Sequence, residues 1–336
     1  MEINKNLTID DIARELGVSK TTVSRAISGK GRISEATRQR VLEYIQAHHY
    51  HPNAAAKSLA ESRTYNIALV LPRSFIKLNQ THVRQSMSAI CEEAFLQDYN
   101  ILLCLSTDDA TPSLLRTIDN RKVDGVILAR TVARDPVVAL LSQRGIPFAT
   151  IGSLSPEDQG KAVVEADHDQ VGGCRAFSKA FFQSGSGKMA LLGNDPDYIV
   201  NQSRLTGFRQ AVQELHIPEN MIELRAGMDN RPKRYAVVDE LLELGYRRFL
   251  CMDEEVCLDA MERLHQLGCR IPEDVTIACL YDSEQLANAT PPVSALEFNA
   301  AEIGRVACRE LLMYLKGEHY DPKPMLGYRI IKRTSA

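Results

Sequence analysis

From residue 65 onward, short apolar runs alternate with stretches of helical periodicity. The runs are IALVL (67–71), ILLCL (101–105), GVILA (125–129), FATIG (148–152), MALLG (189–193), FLCM (249–252) and VTIACL (275–280). Strands that alternate with helices build parallel sheets in an α/β architecture. A stretch of about 270 residues is generous for one such sheet, so the pattern predicts two lobes. Ligands of open parallel sheets gather outside the carboxyl ends of the strands. A two-lobed body of this kind closes over its ligand by hinge motion.

The first 64 residues carry a different pattern. Thr8 and Asp11 stand at capping-box spacing, with Asp in place of the usual Glu or Gln. Ile9, Ile12, Ala13 and Leu16 follow at helical intervals, and Gly17 ends that helix. Ser19 is placed to cap a second helix from Lys20 to Ser28. On it Val23 and Ile27 share one face, while Lys20, Thr21, Ser24 and Arg25 point elsewhere. Gly29 and Gly31 break this helix, and Ser34 caps a third with Val41 and Ile45 on its inner face. Two short helices joined through glycine and braced by a third form a helix-turn-helix. The DNA-reading version lays its second helix in the major groove. A small helical bundle with a polar face satisfies the same spacing.

Between these regions, residues 53–60 read NAAAKSLA behind Pro52. Three alanines favour a helix, yet a segment of about eight residues is too short to hold one alone in water. Such a segment folds on binding, unless it is an ordinary linker. The pattern therefore divides the chain into 1–52, 53–64 and 65–336.

Charge sharpens the division. Residues 1–64 hold ten Lys and Arg against seven Asp and Glu, whereas the remainder holds 30 against 36. A basic head on an acidic body suits a polyanion-binding module attached to something else. The 336 residues are 44% hydrophobic and 25% charged, ordinary for a soluble globular protein. The opening MEINKNLTIDD has no apolar core of a signal peptide, and no apolar run is long enough for a membrane span. Eight cysteines without CxxC spacing read as buried, reduced thiols of a cytoplasmic protein. Catalysis finds little support. GSGK (185–188) lacks the first glycine of a P-loop and precedes its strand, and HExxH and GxSxG are absent. The acidic run Asp253, Glu254, Glu255 fits a solvated strand-end loop better than an acid/base or Mg²⁺ site. No catalytic residue, metal or cofactor is expected.

The stretch TIDDIARELGVSKTTVSRAISGKGRISEATRQRVLEYIQAHHYHPNAAAKSL resembles the N-terminal region of the LacI/GalR family of bacterial repressors. The matching pieces are DIARELGVS, TVSR, S-x-x-T-R-x-R-V and Y-x-P-N-x-x-A-x-S-L, in the family's order and spacing. More loosely, RKVDGVILA, RGIPFATIG, SRLTGFRQAV, IPEDVTIA and TPPVSALEFNAAEIG are similar to that family's regulatory domain. The resemblance implies an N-terminal all-α helix-turn-helix domain plus a two-lobed, periplasmic-binding-protein-like parallel-sheet domain.

It also implies roles for individual positions. Lys20 and Thr21 would touch base edges, and Arg25 would be the main specificity contact through bidentate bonding to guanine. Thr8, Thr22, Ser24 and Asn53 would contact phosphates and set register. Ser28 stands where many members have Asn. Residues 53–60 would be the hinge helix, with Ala56 allowing close helix approach and Leu59 wedging between base pairs. Arg204 matches the arginine that clamps the effector, and Tyr198 would supply an aromatic wall. Two departures stand out. Asp253-Glu254 replaces the usual Asn/Ser-Asp, and Cys279-Leu280-Tyr281-Asp282 replaces Gly-aromatic-Asp-Asp. Tyr281 thus stands at the first carboxylate, leaving Asp282 as the expected carboxylate ligand, with Asp253 beside it.

The function implied is a cytoplasmic regulator acting as a homodimer on a near-palindromic double-stranded DNA operator. It would repress a carbohydrate-utilisation operon and be released by a sugar-type effector. The short ending after YRIIKRTSA, without a leucine heptad tail, favours a dimer over a tetramer. Control by a partner protein, or by a purine or sugar-phosphate corepressor, is the alternative. A transport module with an incidental basic head and an enzyme are the remaining rivals.

Overall fold

The computed structural model describes residues 7–29, 31–48, 50, 58, 61–72, 81–106, 112–193 and 197–336. Asn53, Ala56 and Leu59, and with them most of the expected hinge helix, lie outside the described residues, as does the Ser28 side chain. The chain forms two compact units, 1–64 and 65–336.

In the first unit α1 (Ile9–Leu16), α2 (Lys20–Ser28) and α3 (Glu35–Ala47) are each started by a hydroxyl residue. Thr8 and Asp11 form a reciprocal capping box: the Asp11 N–H donates to Thr8 Oγ1 at 3.2 Å, and the Thr8 N–H donates to Asp11 Oδ2 at 3.1 Å. Gly17 ends α1 at φ 62°, a left-handed turn that glycine adopts without a Cβ penalty. Ile12, Ala13, Val23, Ala26, Val41 and Tyr50 make the core, so all three helices spend their apolar faces on one another. Arg38 donates to the Gly29 carbonyl at 3.3 Å and Arg40 to that of Leu16, tying α3 to the ends of α2 and α1. These bonds fix the angle between the first two helices.

The second unit begins with β1 (Asn66–Pro72), α4 (Thr81–Leu96), β2 (Asn100–Ser106), α5 (Pro112–Asp119), β3 (Gly125–Leu128), α6 (Pro136–Arg144), β4 (Phe148–Ile151) and β5 (Val164–His168). A second lobe follows with α7 (Gln170–Gln183), β6 (Met189–Leu192), α8 (Ile199–Glu214), β7 (Ile222–Arg225), α9 (Arg231–Glu243), β8 (Arg248–Cys251), α10 (Glu254–Gln266), β9 (Thr276–Cys279), α11 (Glu284–Ala287) and β10 (Ser294–Glu297). The chain then returns to the first lobe for α12 (Ala300–Lys316) and β11 (Met325–Leu326), and ends in the second with β12 (Arg329–Ile331).

Two six-stranded sheets result, ordered β11-β5-β4-β3-β1-β2 and β12-β10-β9-β8-β6-β7. All pairings are parallel except β10 with β12. Parallel pairing brings the carboxyl ends of β1, β3 and β4 to one edge of the first sheet, and those of β6, β8 and β9 to one edge of the second. Helix α12 seals the first core with Ile303, Val306, Ala307 and Leu311 against Ile67, Leu69, Ile127 and Ala149. Its Gly304 lies so near α4 that a Cβ there would sit 2.5 Å from the Ser86 carbonyl oxygen.

The chain passes between the lobes three times: after β5, after β10 and after β11. The rings of His168 and Phe298, on the first two passages, lie 5.1 Å apart. All eight cysteines are unpaired thiols, six of them buried. No helix among the described residues is long and apolar enough to cross a membrane.

Candidate nucleic-acid interface and interlobe site

In the first unit, burial of Val23 and Ala26 turns the opposite side of α2 outward, so Lys20, Thr21, Ser24 and Arg25 are all exposed. Ser19 Oγ accepts the Thr22 N–H at 3.1 Å and lies 2.8 Å from the Thr22 hydroxyl, which makes Thr22 part of the turn's own bonding. The Thr8 hydroxyl likewise donates to Asp11 Oδ2 at 2.6 Å. A phosphate contact from Thr8 or Thr22 must therefore share a hydroxyl already in use. The Lys20 ammonium pairs with Asp10 of α1. The Arg25 stem crosses Gly31, where an added Cβ would meet Arg25 Cδ at 3.0 Å. Anything larger than glycine at position 31 displaces the arginine.

In the second unit the two lobes touch directly. The Ala133 N–H donates to the Asp197 carbonyl at 3.0 Å and the Ile199 N–H to that of Thr131 at 3.3 Å. Val132 and Tyr198 form an antiparallel bridge between them. Beside that bridge the Arg130 guanidinium covers the Tyr198 ring. A second contact is aromatic: His82 of α4 meets Tyr281 edge-on, with ring centroids 4.9 Å apart.

Arg204 lies between these contacts, only 6% exposed. Its Nη1 donates to the Met252 carbonyl at 2.5 Å and its Nε to Gln170 Oε1 at 3.4 Å. The guanidinium stands 5.5 Å from the Tyr281 ring centre. Among the described residues no carboxylate lies within ion-pair distance of it, although buried cations are ordinarily paired. Asp253 caps α10 by accepting the Val256 N–H at 3.0 Å. Burial pushes its carboxyl above the usual range, against the pull of Arg204 and Arg234. Asp282 is committed elsewhere: both oxygens accept from Arg333 at 2.7 Å, and Oδ1 also takes the Ser283 N–H. A carboxylate held in that fork is already satisfied, which argues against the effector contact expected of it.

Sequence pattern does not single out three residues here, His82, Arg130 and Gln170, and it puts Glu254 in a solvated strand-end loop, which its burial corrects. Glu254 is buried, its Oε1 has no hydrogen-bond partner among the described residues, and burial raises its pKa first of all. One signal was available for Arg130. It is the second residue after the end of β3, as Asp253 is after β8 and Tyr281 after β9, all at carboxyl ends of strands.

Two imidazoles of this region are held neutral. Burial, then the charges of Arg204 and Arg130, bring His82 down to about 4. Burial chiefly brings His168 to the same value. A folded-state pKa below the unfolded one gives stability that is present above the unfolded value and is lost as pH falls toward the folded one. For His168 this window runs from about 6.5 to about 4, a loss of about 2 kcal/mol at pH 5. Thermal melts from pH 7 to pH 5 will show a steeper fall in Tm for the native chain than for His168→Gln. Parallel curves would contradict the assignment.

Comparison with known proteins agrees with this geometry. The model for "Bacterial regulatory proteins, lacI family" matches residues 8–53, and that for "Periplasmic binding protein-like domain" matches residues 179–336. The chain carries a lacI-family helix-turn-helix domain and a periplasmic-binding-protein-like domain. The HTH-type transcriptional regulator RegA of Clostridium saccharobutylicum is 25% identical to this chain over 98% of each. A structure of the transcriptional regulator CelR in complex with cellobiose superposes with TM-score 0.72 at 25% identity, over 98% of this regulator and all of that chain. The lac repressor dimer bound to operator and the anti-inducer ONPF has the same fold, with TM-score 0.79 at 20% identity over 98% and 99% of the two chains. The regulator is thus a DNA-binding transcriptional regulator with an effector-binding body.

Proposed function

We propose that this regulator is a cytoplasmic homodimer that represses transcription from a near-palindromic operator and is released by a sugar-type effector held between its lobes. The observation that carries the reading is Arg25, exposed on a second helix whose opposite face is spent on the core. A guanidinium so placed can bond O6 and N7 of a guanine. Lys20 and Thr21 share its exposed side, while Thr8, Thr22, Ser24 and Asn53 would fix the register on phosphates. Ala56 and Leu59 would act in the minor groove once residues 53–60 fold on DNA. Two copies would read two half-sites.

The body would supply the switch. Arg204, Asp253, Tyr281 and Tyr198 are proposed to hold the effector, without Asp282, whose carboxylate serves Arg333. Support for a sugar comes from the cellobiose complex of CelR. Effector binding would shift the lobes about their three chain passages and change the cost of ordering residues 53–60 on DNA. We assign no catalytic residue to this regulator. A second reading, control by a partner protein, is favoured by the direct closure of Thr131–Ala133 on Asp197–Ile199.

The deciding substitution is Arg25→Ala. It will weaken operator binding by about 1–3 kcal/mol and relax base preference at one position of each half-site. Fluorescence anisotropy at fixed salt, with singly substituted operators, measures both. Unchanged affinity and preference would exclude Arg25 as the reader.

A further inference from the structure

We propose that Arg333 is a positioning residue for the contact between the lobes: through Asp282 it aims the loop that presents Tyr281 to the first lobe. The link from that contact to DNA rests on the effector reading above. Tyr281 is the point where the second lobe converges. It packs against both apolar cores of that lobe, one on each face of the sheet. Its ring meets His82 of the first lobe edge-on and lies 5.5 Å from the Arg204 guanidinium.

The backbone is fixed on either side of this tyrosine. The Leu280 N–H donates to the Cys251 carbonyl at 2.7 Å, and the Asp282 N–H donates to that of Leu296 at 2.8 Å. Beyond those bonds the Asp282 carboxylate sets the loop. Each of its oxygens accepts from Arg333 at 2.7 Å, and Oδ1 also takes the Ser283 N–H at 2.9 Å. Ser283 Oγ accepts the Leu286 N–H at 3.1 Å and so caps α11. One carboxylate therefore ties the loop after β9 to the segment after β12.

Arg333 is held on a firm base. Its N–H donates to Ser294 Oγ at 2.9 Å, and its Nη1 donates to the Val293 carbonyl at 2.6 Å. Two residues on, Ser335 is completely buried; it donates to the Ile277 carbonyl at 2.6 Å and accepts the Ser294 N–H at 2.9 Å. The arginine and aspartate side chains are only 18% and 11% exposed, so water screens the fork weakly. A bidentate pair of this kind fixes direction as well as distance, which a lysine cannot reproduce. The core of the lobe does not depend on it, because β6, β8 and β9 bond to one another through the backbone. Loss of the fork frees the loop first and the core last.

The lobes meet at two places, Tyr281 with His82 and Thr131–Ala133 with Asp197–Ile199. Both open when the lobes part, so the second reports on the first. Hydrogen exchange on the full chain tests this, with the Ala133 N–H as probe, since it donates across the lobes to the Asp197 carbonyl. In Arg333→Gln, exchange at Ala133 and in 280–283 is expected to rise at least about tenfold, the scale of one charge-assisted hydrogen bond lost. Amides of β6 and β8 keep their native rates. Asp282→Asn breaks the same fork from the loop side and serves where Arg333→Gln does not fold. The double variant exchanges no faster than either single one, and Arg333→Lys restores part of the protection.

Native exchange at Ala133 in folded Arg333→Gln would overturn the proposal and leave the pair a local brace. A rise shared equally by β6 and β8 would overturn it too, making Arg333 a residue of fold stability alone. Operator affinity of the same variants, on a duplex selected from a randomised pool, separates the two readings. Fast exchange at Ala133 with altered affinity supports both. Fast exchange with native affinity upholds the positioning role and sinks the coupling of the lobes to DNA.

Discussion

Replacing Arg204 with alanine will cost effector affinity about 2–5 kcal/mol, the loss that follows truncation of one partner in a buried, charge-assisted contact. Three observations set the size. The guanidinium is nearly inaccessible, it has no carboxylate of its own among the described residues, and two of its contacts are to neutral oxygens of Met252 and Gln170. A cation buried on those terms has paid for desolvation without full recompense, so a ligand supplies what the fold withholds. Folding stability should change little by comparison, since removing an underpaired charge relieves a cost while orphaning the Met252 carbonyl. Calorimetric titration beside thermal melts separates the two effects. Undiminished effector affinity in Arg204→Ala would move the site elsewhere in the body.

The second large effect is Ile12→Ala. Ile12 is completely buried where α1 meets Val23, Ala26 and Val41. Large-to-small truncation at such a site costs about 2–5 kcal/mol. A unit of about 60 residues buries a smaller fraction of its surface than a larger domain and has little stability to spare. The expected outcome is loss of operator binding by unfolding of residues 1–64, with effector binding by residues 65–336 intact. Scanning calorimetry will show the transition of the first unit lost or shifted down while that of the second stays. Full operator affinity in the variant would mean that this core is not what presents Arg25.

The contrast between these two substitutions follows what the chain made legible. The head was readable because its signals are local. Thr8 with Asp11, Gly17, Ser19 and Ser34 each act within three or four residues, and they appear as caps and stops where the pattern put them. The apolar runs also appear as strands, each within one or two residues of its expected ends. Five further strands escaped notice, and three of them, β5, β7 and β10, did so because their residues are not apolar runs. β5 is VEADH, whose Glu165 and Asp167 are buried yet satisfied by backbone N–H groups of Leu154 and Ser153. β7 (IELR) is a half-exposed edge, and β10 (SALE) is short and polar at both ends. A buried polar residue with a partner supplied by a distant loop leaves no mark on hydrophobic periodicity.

The interlobe site shows the same limit. The pairing of Asp282 with Arg333 spans 51 residues, and only the fold brings them together. His82 and Tyr281 meet from different lobes, as do Arg130 and Tyr198. Arg130 and Glu254 were visible as strand-end residues, yet strand ends are commonly solvated. Burial, a property of the folded chain alone, separates Glu254 from an ordinary surface charge, and stacking distance to Tyr198 does so for Arg130.

The central claim is that this chain reads a specific DNA sequence through α2. Selection from a randomised duplex pool, with the full chain and Arg25→Ala side by side at one salt concentration, tests it most directly. The account predicts enrichment of one two-fold symmetric site by the native chain, with a guanine in each half-site that the variant no longer demands. Enrichment of no site by the native chain, or of the same site with the same guanine by Arg25→Ala, would contradict it.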